Sequence, residues 1–343
     1  MQALYWDGQQ LRLRKSYPAP QASEHSAIVR VRLAGICSTD LQIFKGYMGF
    51  QGVPGHEFVG EVREGPANLI GKRVVGEINF ACGACPLCLQ GLKRHCPNRR
   101  VMGILNADGS FAEYLSVPIM NLHIVPEHVP DEEAVFTEPL AAALEILEQV
   151  HVQPTAEVVV LGDGKLGLLC AQVLQLTGAR VTAVGKHPQK LKILHTVGVR
   201  TVFLTDWRPT SADLVVEATG STAGLALAME TVRPRGTLVL KSTVAASHRL
   251  SLAPLVIHEV TVVGSRCGRF PPALQALAQR RVTVAPLIDK TYPLHDGLEA
   301  AAHAAQPGVL KILLRNRPKP VSSKSKTSLG RVSGKSRRKL VFC

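Results

Sequence analysis

Val158-Val159-Val160-Leu161-Gly162-Asp163-Gly164-Lys165-Leu166-Gly167 decides how this chain folds. Four apolar residues form a strand buried on both faces, and a Gly-x-Gly-x-x-Gly turn follows and opens a helix. Gly162 permits the tight turn, Gly164 lets a pyrophosphate approach the backbone, and Gly167 lets the helix pack close to the sheet. The N-terminus of a helix starting near Leu166 favours phosphate charge. Asp163, Lys165 and Leu166 complete the loop, so residues 162–167 are candidate dinucleotide contacts.

Working outward, strands and helices alternate. Strands are expected at Val181–Val184, Val202–Leu204, Leu214–Val216, Leu238–Leu240 and Val260–Val263. Helices are expected at Pro139–His151, Leu166–Thr177, Pro188–Val197, Thr222–Val232 and Pro272–Gln279. This alternation predicts a doubly wound parallel sheet. At the end of the second strand, a carboxylate would bind the ribose 2′-hydroxyl of NAD. Gly185 stands there, followed by Lys186 and His187. The missing carboxylate and the adjacent cations point to NADP, with NAD the alternative. Aspartate introduced at Gly185 is expected to move the preference toward NAD.

Before residue 140 the pattern differs. Leu11–Arg14, Ile28–Leu33, Val59–Val62, Arg73–Ile78 and Tyr114–Val117 read as short strands between turns. The stretch from Gly35 to Glu57 gathers Cys37, Thr39, Asp40, His56 and Glu57. Thiolate and imidazole are zinc ligands, and a carboxylate often completes a three-ligand catalytic set. That third ligand comes from Glu57 or from further along the chain. Cys82, Cys85, Cys88 and Cys96 are spaced as a closed structural zinc shell. An iron–sulfur cluster also uses cysteines two residues apart, but the long last gap favours zinc.

These motifs come in one order: Gly35-Ile36-Cys37-Ser38-Thr39-Asp40, Gly55-His56-Glu57, the four cysteines, Thr137-Glu138-Pro139-Leu140, and the glycine loop. Over about residues 1 to 315 the chain resembles the zinc-dependent medium-chain dehydrogenases, nearer the sorbitol and threonine dehydrogenase branch. The resemblance implies an α/β protein, with a GroES-like β-barrel catalytic domain (1–140 and 290–316, zinc lobe 81–97) and an inserted Rossmann domain (141–289). It also implies that Cys37 and His56 hold a catalytic zinc, and that Glu138 is the third ligand, directly or through water. Glu57 becomes an exchangeable or neighbouring partner, Asp40 orients the histidine, and Thr39 passes on the substrate proton. The position five after the cysteine, often a relay histidine in that family, is Gln42 here, so the proton is expected to leave through the ribose and water. The expected reaction is hydride transfer between an alcohol or polyol and NADP or NAD. A larger secondary alcohol, as in pigment or secondary-metabolite synthesis, is the alternative substrate. The expected assembly is a homodimer or homotetramer.

Of the 40 Lys and Arg, ten lie from Arg315 onward, where there is no Asp or Glu, leaving 30 against 26 elsewhere. The net charge of +14 therefore belongs to the tail and not to a nucleic-acid-binding body. Residues 317–343 are expected to be a disordered basic arm with weak polyanion binding, the activity of another class that this chain suggests. No apolar run is long enough to span a membrane. The opening residues do not read as a secretory signal, so the cytoplasm is the expected location. Cys170 reads as core. Cys267 lies in a turn that borders the nicotinamide or is merely structural. His123, His151 and His195 have no partner pattern.

Overall fold

A computed structural model describes residues 1–242 and 251–316. The basic arm expected at 317–343, with its polyanion binding, lies outside these residues.

The first sheet has seven strands and is built around Ser26–Ile36. That strand pairs antiparallel with Glu57–Glu64 on one side and Lys311–Arg315 on the other, and with Tyr114–Pro118 through its first half. Arg73–Gly76 and Leu122–Ile124 extend one edge. The register places Glu57 opposite Gly35, and Ile312 opposite Ile36. Residues from both ends of the chain thus meet beside Cys37. Alternation of apolar and charged residues in Ser26–Ile36 turns Val29, Val31 and Leu33 into the core and leaves Arg30 and Arg32 half-exposed.

The second sheet is wholly parallel, in the order Arg200–Phe203, Arg180–Gly185, Glu157–Leu161, Ala212–Glu217, Val232–Leu240, Thr261–Gly264. The order reverses on either side of Glu157–Leu161, so the glycine loop opens at the topological switch point, where open α/β sheets bind ligands. Helix Thr137–Gln149 joins the two sheets. Its Leu140 and Ile146 share one apolar cluster with Leu33, Val59 and Val75 of the first sheet and with Leu168 and Leu274 of the second unit.

Two elements were not anticipated, and one boundary moves. Ser38–Ile43 is a short helix, because the Cys37 N–H donates to Asp40 Oδ2 at 2.7 Å and closes a capping box. Ile288–Pro293, a polar-looking segment, is a strand parallel to Lys311–Arg315. The bridging helix begins at Thr137, two residues earlier than expected, with Pro139 tolerated in its first turn. No helix among the described residues is long and apolar enough to cross a membrane.

Candidate metal and dinucleotide sites

The sulfurs of Cys82, Cys85, Cys88 and Cys96 face one another in the lobe that begins after strand Asn79–Phe80. Their separations are 3.4 Å (Cys85–Cys88), 3.5 Å (Cys96–Cys82), 3.8 Å (Cys85–Cys96) and 4.0 Å (Cys82–Cys88). A tetrahedron with zinc–sulfur bonds of about 2.3 Å has edges of about 3.8 Å, so the four thiols fit zinc. Backbone N–H groups of Ala84 and Cys85 draw the Cys82 thiol down to about 6, toward the thiolate a metal needs.

Cys37, His56 and Glu57 form a second group, with ligand atoms all within 4.8 Å of one another. Helix Ser38–Ile43 presents Cys37 at its N-cap, and the Gly55 turn delivers His56 and Glu57 to the start of their strand. Asp40 is fully buried beneath them. Its Oδ1 accepts from the Gly55 N–H at 3.2 Å and lies 3.3 Å from His56 Nδ1. Burial works against a charged imidazole, yet Asp40 and the Cys37 sulfur hold the pKa of His56 well above its ordinary value. Thr39 Oγ1 is 3.8 Å from Cys37 Sγ. Glu57 is paired through Oε2 with the buried Lys311, while its Oε1 is buried without a hydrogen-bond partner. A carboxylate oxygen with no hydrogen-bond partner, beside a thiol and an imidazole, makes a donor set that fits a cation.

Glu138 lies outside that tight group but within electrostatic reach of it. It is half-buried at the start of the bridging helix, and its carboxyl is pushed up to about 7, first by desolvation and then by Glu57, against the pull of His56, Lys311 and Lys241. The structure thus brings Cys37, His56 and Glu57 within ligand spacing and places Glu138 as a neighbour.

In the glycine loop, Gly162 has φ +115° and its Cα faces the Ala218 carbonyl so closely that a Cβ would stand 2.6 Å from that oxygen. A Cβ on Gly167 would run into the Gly162 carbonyl, so helix and loop pack as the fingerprint requires. Asp163 is buried, and its Oδ2 accepts from the N–H groups of Lys186 and His187 at 2.7 Å each. His187 Nδ1 is 3.0 Å away from the same oxygen. A Cβ at Gly185 would come within 2.6 Å of the Asp163 carboxylate. Asp163 therefore fills the space that a carboxylate at 185 would need, and the expected effect of aspartate there is corrected: it meets a clash and a like charge. Lys186 is exposed. Leu166 is partly buried behind the loop.

Three buried or largely buried lysines surround the metal group, and the sequence reading singled out just one of them, Lys165. Its Nζ does not turn back over the loop but donates to the Leu310 carbonyl at 3.0 Å, and burial and Lys311 lower its pKa. Lys311 carries no signal in the sequence beyond being the one charge in the apolar stretch 309–314. Lys241, at the end of Val232–Leu240, gave no signal beyond being a charge after three apolar residues.

Comparison with known proteins agrees with this architecture. The alcohol dehydrogenase GroES-like domain family matches residues 23–127, and the zinc-binding dehydrogenase family matches residues 166–280. The alcohol dehydrogenase TADH from Thermus sp. ATN1 is 30% identical, with a TM-score of 0.84 over 92% of this chain and 100% of that one. The sorbitol dehydrogenase of Halalkalibacterium halodurans is 29% identical over 87% of this chain and 93% of its own. The D-arabitol-phosphate dehydrogenase of Enterococcus avium is 27% identical over 87% and 92%. With both family regions matched in order and the GroES-like and nucleotide-binding folds present, the chain belongs to the zinc-dependent medium-chain dehydrogenases.

Proposed function

We infer that this protein is a zinc-dependent oxidoreductase that moves a hydride between the CH–OH group of an alcohol or polyol and NAD(P). One observation carries the reading: the glycine loop and the metal group meet. Lys165, first residue of the helix after the loop, is bonded to the Leu310 carbonyl, and the next residue, Lys311, holds Glu57. A dinucleotide lying on the loop is thereby brought to the substrate. The working units are residues 1–140 with 290–316, and 141–289.

The two zinc sites are assigned as follows. Cys82, Cys85, Cys88 and Cys96 hold a structural ion. Cys37, His56 and a carboxylate hold a catalytic one, with Glu57 Oε1 favoured by its position and Glu138 the alternate. Zinc bound there supplies a Lewis acid for the alcohol oxygen, and the dinucleotide supplies the hydride acceptor. Asp40 Oδ1, 3.3 Å from His56 Nδ1, orients the ring by its charge, which leaves Nε2 for the metal. Lys311 prevents Glu57 from carrying an unpaired charge. Thr39, beside Cys37, accepts the substrate proton and releases it toward solvent, since Gln42 cannot titrate. NADP is the reading made from Lys186, which is exposed beside the loop, with NAD the alternative, because the Asp163 carboxylate stands in the space beside Gly185.

A homodimer or homotetramer is supported by the outermost strand of the parallel sheet, Thr261–Gly264, whose far edge is unpaired among the described residues. Beside it Val256 and Ile257 are 77% and 73% exposed. The relatives act on a neutral polyol in one case and on a polyol phosphate in the other, and the substrate here is of that broad type. A screen of alcohols and polyols with both cofactors, following the absorbance of reduced nicotinamide, tests the function. Protein carrying both zinc ions that turns over none of them would sink it.

A further inference from the structure

A cleft of about 310 Å³ opens between the zinc lobe and the carboxyl ends of the last two parallel strands. One wall is Leu240, Lys241 and Ser242 with Gly264 to Cys267, the other Arg94 and His95, and Glu145 lies at its back. By the geometry of an open parallel sheet, this is the nicotinamide half of the nucleotide crevice. It also borders the metal group, because Cys267 is within electrostatic reach of Glu138 and His56.

The charges in this cleft do not balance. Arg94, Lys241 and Arg266 face a single carboxylate, Glu145, which Arg94 Nη1 engages at 2.6 Å. Lys241 is 6% exposed, and its Nζ donates to the Ala142 carbonyl (2.6 Å), the Arg266 carbonyl (3.1 Å) and Ser265 Oγ (3.2 Å). Three neutral acceptors for three protons is the set an ammonium satisfies, and none of them cancels its charge. Arg94 Nη1 also reaches the Cys267 carbonyl, and Arg266 Nη2 reaches the Arg94 carbonyl. No other hydrogen bond engages either guanidinium among the described residues, so both keep donors in reserve. Glu145 offsets the charge of Arg94, but Arg266 has no carboxylate partner among the described residues, and an oxidised nicotinamide ring adds a further positive charge that a neutral substrate would not offset.

We propose that the substrate alcohol carries an anionic group, a phosphate monoester or a carboxylate, held in this cleft by Arg94 and Arg266 in the field of Lys241. The proposal rests on the dehydrogenase reading above and narrows its substrate class. Guanidinium forks match both anions in two-point geometry. Lys241 touches no ligand, because its protons are all taken. It holds the 265–266 loop against the bridging helix and keeps the cleft positive.

The experiment compares matched pairs on the full-length, zinc-loaded protein at saturating cofactor: galactitol with galactitol 1-phosphate, and an alditol with its aldonate. One anionic class should exceed its neutral partner in kcat/KM by about tenfold or more, mainly through KM, as expected for one charge-assisted contact. In Arg266→Gln that ratio should fall by about tenfold, and Arg266→Lys should restore part of it. A neutral polyol used as well as both anions, or a ratio unmoved in Arg266→Gln, overturns the proposal. A second arm needs no turnover. Inorganic phosphate is titrated calorimetrically into the protein saturated with NADPH, which occupies the other phosphate sites. Binding weakened in Arg266→Gln supports the cleft, and absent or identical binding in the two proteins refutes it. Arg266-dependent phosphate binding without oxidation of any alcohol would refute the dehydrogenase reading and leave the anion site standing. Good turnover of neutral polyols without phosphate binding would do the reverse.

Discussion

Replacing Lys311 by methionine keeps its length and removes its charge, and the structure sets the cost. Lys311 and Glu57 are 2% and 1% exposed at the side chain, and the ammonium lies 5.6 Å from the centre of the Phe136 ring. Without the lysine, Glu57 is a buried carboxylate with no counter-charge, a defect that costs about 3–5 kcal/mol. At roughly 2–4 °C per kcal/mol, the metal-free Lys311→Met protein should melt about 10 °C below the metal-free wild type. Zinc bound at Cys37, His56 and Glu57 would take over part of the lost pairing, so the gap should narrow in the metal-loaded protein. Adding Glu57→Gln should recover part of the loss, and the double-mutant cycle isolates the pair. The pH sign is fixed. Burial lowers the pKa of Lys311, but Glu57 and Cys37 raise it further, to above its ordinary 10.5. Its stabilisation is therefore fully present below that unfolded value and lost only as pH rises through the folded one. The deficit in Lys311→Met should accordingly be flat between about pH 6 and 9. Calorimetric melting of both proteins, with chelator and with zinc, is the assay. A metal-free Lys311→Met melting within about 2 °C of wild type would refute the claim that Glu57 depends on this lysine.

Three further outcomes are expected. Cys88→Ser should lower the zinc content from two ions to one and reduce the yield of folded protein, because a structural site contributes folding free energy; metal analysis and melting curves check it. Thr39→Val should slow turnover about 10²-fold with little change in cofactor binding, and a near-normal rate from pH 6 to 10 would remove Thr39 from the proton path. Gly185→Asp should weaken binding of both cofactors and destabilise the protein, since the new side chain meets Asp163; a clean gain in NAD efficiency with unchanged melting would show that Asp163 moves aside.

The nucleotide-binding unit was legible because its signals are local. A run of valines, three glycines at fixed spacing and helices stopping at Gly178 and Gly198 each constrain a few neighbouring residues. The zinc lobe was legible for the same reason, since four thiols within fifteen residues leave few alternatives. What the sequence hid depends on distant partners. In Val309-Leu310-Lys311-Ile312 a lone lysine interrupts an apolar run, and its partner Glu57, 254 residues away, makes that lysine a core residue. Lys241 is similarly decided by carbonyls at 142 and 266. The missing carboxylate at Gly185 could be read, but not that Asp163 occupies its place. Glu138 and Glu57 were both visible as zinc ligands. Which of them stands closer to Cys37 and His56 follows from the pairing of Glu57 with Gly35 across the sheet, a tertiary fact.

The pairing of Lys311–Arg315 with Ser26–Ile36 also bears on how the molecule is made. A chain emerging from the ribosome presents Cys37, His56 and Glu57 early, and the nucleotide-binding unit folds from residues that follow. Until residue 315 is free, the inner strand of the first sheet has an open edge over Leu33 to Ile36, and Glu57 lacks its ammonium. The metal group is thus completed by the last of the described strands. A prematurely ended chain would lack a completed catalytic pocket, and would also lack Leu310 and Leu313 from the core that the two units share.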